Sequence, residues 1–117
     1  MASYGKLEDG VDCPVEAQLI AYNARDVEAF MRCYCHDVVV ENASGEVICP
    51  DHDAMRARYA AAFAREPNVF CTILHRIRHG DHVVDHEHLT GYLDGSTRHA
   101  VAIYRLRDGL IAHVRFL

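Results

Sequence analysis

The sequence predicts an α+β domain in which a curved, mostly antiparallel sheet wraps around N-terminal helices. Apolar residues recur at helical spacing before Pro67. From Val69 onward, strand-like runs are separated by the turn dipeptides Gly80-Asp81, Asp94-Gly95 and Asp108-Gly109. Three such turns in series describe a meander, and helices first with antiparallel strands last define the class. A chain of 117 residues, 50% of them hydrophobic, has the length and the apolar content for one core. Residues 1 to 11 are polar and glycine-containing and read as a loose arm, leaving 12 to 117 as a single domain.

The first helix begins in DCPVEAQLIAYN. Asp12 or Cys13 can cap it, Pro14 suits its first turn, and Val15, Leu19 and Tyr22 form an apolar stripe with Gln18 beside it. A short second helix, Asp26 to Cys33, is capped by Asp26 and presents Val27, Phe30 and Met31. VVVEN, residues 38 to 42, reads as a strand. After the polar break 43 to 46, Val47-Ile48-Cys49 reads as a second. Asp51 or Asp53 can cap the long helix through AMRARYAAAFAR, which ends near Glu66-Pro67 with Met55, Tyr59 and Phe63 on its inner face. Four strands follow: Val69 to Arg78, His82 to Tyr92, Ser96 to Leu106 and Leu110 to Leu117.

Several function classes drop out. The net charge is -5, and no basic run is dense enough to neutralise successive phosphates, so nucleic acid is not an expected partner. The start lacks a leader's apolar core and no run is long enough to span a bilayer, so the expectation is a cytoplasmic protein without membrane contact. Cysteines 13, 33, 35, 49 and 71 show no CxxC spacing and read as small buried apolar residues.

GDHVVDHEHLTG, residues 80 to 91, concentrates histidines and acids in a strand-like stretch. A two-residue turn at Gly80-Asp81 pairs His79 with His82, Ile77 with Val84, His75 with His86 and Ile73 with His88 on one face. Arg76 then lies opposite Asp85, and Leu74 opposite Glu87, on the other. An ion pair marks the second face as the wetter one. Ile73, Ile77 and Val84 are therefore expected to look inward and to carry His75, His86 and His88 with them. The turn at Asp94-Gly95 stays open. A two-residue loop sets Val101 and Ile103 beside these histidines, whereas a three-residue loop sets Ala102, Tyr104 and Leu106 there.

The stretches AYNARDVEAFMRCYCHDVVVEN, AMRARYAAAF and AVAIYRLRDGLIAHVRFL, in this order, resemble the nuclear transport factor 2-like superfamily, which includes ketosteroid isomerases and SnoaL-like polyketide cyclases. The likeness covers about residues 14 to 117. It implies a cone-shaped, strongly curved sheet, a pocket between its concave face and the helices, and a homodimer through the outer face. It also favours three-residue loops, with Tyr104, Val114 and Phe116 on the pocket face beside His86 and His88. Matched to the ketosteroid isomerases, the general-base aspartate falls on Asn42, the oxyanion-hole tyrosine on Gln18 and the protonated aspartate on Ala102. Only the supporting tyrosine is kept, as Tyr59, so ketosteroid isomerase activity itself is not expected.

The resulting expectation is a pocket for a small, largely apolar molecule, with no cofactor. His86 would act as acid/base in isomerisation, cyclisation or dehydration. Gln18, Asn42 and Tyr59 would supply hydrogen bonds, and Phe63, His75, His88, Tyr104, Val114 and Phe116 the remaining walls. A noncatalytic ligand-binding or dimerisation module is the alternative. A metal on His75, His86 and His88 is a second alternative, but with Asp85 and Glu87 facing away the expected metal content is none. The dimer face would carry Val101, Ile103 and Ile111, flanked by Arg76, Asp85 and Arg115.

Overall fold

A computed structural model describes residues 13–117, so the N-terminal arm and the capping role of Asp12 lie outside the described residues. Pro14 occupies the first turn of α1 (Pro14–Asn23), where its missing N–H costs nothing. Asp26 caps α2 (Val27–Met31) by accepting from the Ala29 N–H. The chain then enters β1 (Tyr34–Glu41), which starts four residues earlier than VVVEN suggests, and turns back into β2 (Val47–Cys49). Asp51 caps α3 (His52–Arg65), and Pro67 follows its end.

The remaining strands are β3 (Phe70–His79), β4 (His82–Thr90), β5 (Arg98–Arg107) and β6 (Leu110–Phe116). They form the meander, and β6 closes onto β1 in parallel to give the order β2-β1-β6-β5-β4-β3. The resulting six-stranded sheet is curled but unclosed, with the helices against its concave side. Its core joins Val15 and Ala21 of α1, Phe30 and Met31 of α2 and Met55 and Phe63 of α3 to Val38, Val83, Ala102 and Val114 of the sheet. All five cysteines are free and buried.

The turn at Gly80-Asp81 forms as expected, with His79 opposite His82, Ile77 opposite Val84, Arg76 opposite Asp85 and His75 opposite His86. The faces, however, are reversed. Val83 and Asp85, both 0% exposed, and Glu87, 8% exposed, point to the helices, so the histidines of β4 point outward. The cause is a bulge between Ile73 and His75, which sets Ile73 opposite Glu87 instead of His88. Ile73 is inward, but the extra residue Leu74 changes the parity of the strand, so His75 and Ile77 emerge on the other side.

On β5, Val101 lies opposite His86 and Ile103 opposite Val84, on the outer face, while Ala102 and Tyr104 lie opposite Asp85 and Val83 inside. Tyr104 and Val114 therefore face the helices without the histidines that the resemblance set beside them. The expected outer strip loses Ile111, which is 0% exposed in the core, and also Asp85 and Arg76, which turn inward. Val101, Ile103 and Arg115 remain outside.

One glycine is fixed by contact. At Gly91 (φ +88°), a Cβ would stand 2.1 Å from the carbonyl oxygen of Asn68 and 2.9 Å from its carbon, both backbone atoms. Gly91→Ala is expected to cost roughly 2–4 kcal/mol through strain and the displaced 68–69 backbone. Urea unfolding would measure it, and a change below about 0.5 kcal/mol would contradict the contact.

Candidate functional site

A cavity of about 160 Å³ lies between the concave face of the sheet and the helices. Its walls are mostly apolar and aromatic: Leu19 and Tyr22 from α1, Phe30 from α2, Tyr59 from α3, and Leu89, Val114 and Phe116 from the sheet. The rings pack on one another, with Phe30 4.6 Å from Tyr59 and 5.0 Å from Tyr34 between centroids. Into this surface the chain introduces a few polar groups, namely Gln18, Tyr34, Cys71, Glu87 and Tyr104.

Those groups are connected. The Gln18 amide nitrogen donates to the Val15 carbonyl (3.0 Å) and to the Tyr104 hydroxyl (3.3 Å), and Tyr34 donates its hydroxyl proton to Gln18 Oε1 (3.1 Å). Burial raises the pKa of the Tyr34, Tyr59 and Tyr104 phenols well above the ordinary tyrosine value, so all three stay protonated. Glu87 carries the one carboxylate in the cavity wall. Burial, and then the neighbouring Asp85 charge, push its pKa up to about 7, while hydrogen bonding with Tyr104 and Cys71 and the charge of Arg76 pull the other way. Burial and the Glu87 charge likewise push the Cys71 thiol up to about 12, which leaves it a poor nucleophile at neutral pH.

Asp85, two residues before Glu87, is held differently. Arg76 grips it with two hydrogen bonds, Nε to Oδ1 at 2.6 Å and Nη2 to Oδ2 at 2.9 Å, and reaches Glu16 of α1 with Nη1 at 2.7 Å. The Arg76–Asp85 pair read from the sequence is present, but on the inner face with the carboxylate buried, and the bidentate guanidinium replaces the water that the carboxylate gives up. Two acids on one strand face thus receive different environments. Asp85 is paired, and Glu87 can switch its proton near neutral pH.

The structure separates the residues singled out from the sequence. Gln18, Tyr59, Tyr104, Val114 and Phe116 meet in the cavity wall, with Phe63 packed behind Tyr59 and Phe30. Asn42 instead caps the β1–β2 turn, accepting from the Ser44 N–H (3.1 Å) and the Glu46 N–H (2.9 Å). His75, His86 and His88 lie outside with His99. Their rings form a row: His75 stacks on His86 (5.7 Å), His86 Nε2 meets His99 Nδ1 at 3.0 Å, and His99 stacks on His88 (4.6 Å). His86 therefore has no access to the cavity and cannot be its acid/base. Among the described residues, no set of three or more His, Cys, Asp or Glu side chains is arranged to hold a metal ion. Glu87, Tyr34 and Cys71 were not foreseen. The signal for Glu87 was the alternation Val83, Asp85, Glu87, Leu89, hidden by the histidines interleaved with it.

A model of the SnoaL-like domain matches residues 15–114. An uncharacterized cystatin-fold protein from Novosphingobium aromaticivorans superposes with a TM-score of 0.81 at 30% identity, over 89% of this chain and 94% of that one. A protein described as a polyketide cyclase from Sinorhizobium meliloti gives 0.77 at 22% identity over 95% of both chains. A protein of ketosteroid isomerase-like fold from Catenulispora acidiphila, solved in complex with trimethylamine, gives 0.74 at 21% identity, over 89% of this chain and 83% of that one. No curated protein matches the sequence. Among the described residues, no helix is long and apolar enough to cross a membrane.

Glu87 makes a pH prediction. Its folded pKa, about 7, lies above the 4.5 of an ordinary glutamate, so the folded chain holds the proton more tightly than the unfolded chain does. The contribution of Glu87 to stability is then full below pH 4.5 and is lost as pH rises through 7, by roughly 3 kcal/mol. Urea unfolding at pH 5 and pH 8 should show Glu87→Gln stabilising the chain more at pH 8 than at pH 5. An equal effect at both would place the carboxylate in water.

Proposed function

Because the chain belongs to the SnoaL-like domain family, we propose that its cavity binds a small, largely apolar molecule and that Glu87 exchanges a proton with it. The reaction class is isomerisation, cyclisation or dehydration, each of which needs one group to take a proton from carbon or oxygen and return it. The observation that carries this reading is the single carboxylate, near its working pKa, set in an otherwise aromatic and aliphatic wall. Tyr104 would hold a ligand oxygen by turning its hydroxyl proton from Glu87 toward it, with Gln18 fixing the phenol. The two side chains also reach Glu87 and Tyr34, which limits how far they can shift. A noncatalytic binding module is the alternative, since the fold alone confers no activity.

Solvent deuterium exchange into 2-cyclohexen-1-one, followed by NMR with and without protein, separates the two. The expected result is exchange above the buffer rate that rises as Glu87 ionises, falls about 10²-fold or more in Glu87→Gln and is unchanged in His86→Gln. Chemical-shift changes at Gln18 and Tyr104 without exchange would leave a binding module. Exchange lost with His86 rather than Glu87 would return the chemistry to the outer face.

The outer face supports a homodimer. Ile77 is 63% exposed there, and Val84, Val101 and Ile103 are only partly covered, so a self-complementary contact would remove an apolar strip from water. Sedimentation at micromolar concentration should give a dimer, and Ile103→Glu a monomer. A wild-type monomer would remove the proposal.

A further inference from the structure

The inner side of the sheet holds more negative than positive charge. Glu16, Asp85 and Glu87 face one guanidinium, and Arg76 spends all of its short contacts on the first two. Among the described residues, no lysine or arginine forms an ion pair with Glu87. When Glu87 ionises, Arg76 acts on it only from a distance and no described residue forms an ion pair with it, a state that a buried acid sustains only at a cost. Among the described residues, none that lines the cavity carries a positive charge.

The surroundings suit one kind of cation. A metal ion would need further oxygen or nitrogen donors, and beyond the one carboxylate the polar groups of the wall, Gln18 and the neutral phenols of Tyr34 and Tyr104, are hydrogen-bonded to one another. An alkylammonium ion carries its charge inside a hydrocarbon shell, so it can meet a carboxylate on one side and aromatic faces on the others. Tyr22 already has Arg25 over its ring at 5.4 Å, which leaves Phe30, Tyr34, Tyr59, Tyr104 and Phe116 as the available rings. The phenols of Tyr34, Tyr59 and Tyr104 remain neutral and add no competing negative charge. The cavity is about 160 Å³, roughly ten times the space that seats one water, which allows a ligand of several heavy atoms but not a large one.

From this geometry we infer that the cavity's ligand class is the small organic cation, an alkylated ammonium seated between Glu87 and the rings of Phe30, Tyr59 and Tyr104. The inference rests on the reading of the cavity as a ligand site. It adds the ligand's charge and shape, which the proton-transfer reading leaves undefined.

The test compares choline with 3,3-dimethyl-1-butanol, which has the same shape without the charge, by NMR titration of the full chain. At pH 8, choline should bind at least tenfold tighter than the alcohol, with shift changes at Gln18, Glu87 and Tyr104. The preference should shrink about tenfold or more at pH 5.5, where Glu87 is protonated, and disappear in Glu87→Gln while the alcohol's affinity stays the same. Tyr59→Leu should weaken choline more than the alcohol, which gives a second reading if Glu87→Gln folds poorly. Equal binding of the two probes would overturn the cation and leave the cavity as a ligand site. Binding of neither would overturn both.

Discussion

The fork of Arg76 is the interaction on which the inner face depends. Without it, Asp85 would be a fully buried carboxylate beside a second one, and strand β4 could not present that face to the helices at all. With it, the charge of Asp85 is accounted for locally, α1 is tied to the outermost hairpin through Glu16, and Glu87 is left as the group whose proton is free to respond. The electrostatic character of the cavity is thus set by a residue that does not line it.

The order of elements was legible because it is written in short-range signals. Asp26 and Asp51 cap helices, Pro14 and Pro67 bracket them, and Gly80-Asp81 and Asp108-Gly109 turn strands. The site was legible only in part. Gln18 and Tyr59 stand beside or on the apolar stripes of their helices, whereas Tyr104, Val114 and Phe116 are placed on the pocket face by the family resemblance, since both faces of β5 are apolar. Strand β4 offers no contrast either, because both of its faces are polar and both contain valine. The inward side was therefore assigned from Ile73 and Ile77 across the hairpin, and a one-residue bulge at Leu74 makes those two isoleucines face opposite ways. A bulge leaves little trace in a single sequence, since its extra residue is an ordinary leucine. The salt bridge misled in the same direction, because paired charges suggest water until the geometry shows that two hydrogen bonds have replaced it.

The two sides of β4 divide the labour of one short segment. Val83, Asp85 and Glu87 face the helices, Glu87 in the cavity wall, while His86 and His88, interleaved with them, join His75 and His99 in the outer row. A substitution that slipped this strand by one residue would put imidazoles in the cavity and carboxylates on the outer surface together. Its register is held at one end by the Gly80-Asp81 turn and at the other by the close approach of Gly91 to Asn68.

The hydrogen-bond chain along the cavity floor also has a direction, and a backbone atom sets it. The Val15 carbonyl can only accept, so the Gln18 side chain must turn its NH₂ group toward it and its oxygen toward Tyr34. Tyr34 then has no choice but to donate, and the second amide hydrogen occupies a lone pair of Tyr104. That leaves the Tyr104 proton to point onward to Glu87. The first turn of a helix, fixed by Pro14 and folded for reasons of its own, therefore decides that the Tyr104 proton leans toward the carboxylate. A ligand oxygen entering beside Tyr104 would compete with the carboxylate for a single proton, so that turning one hydroxyl is enough for the array to respond.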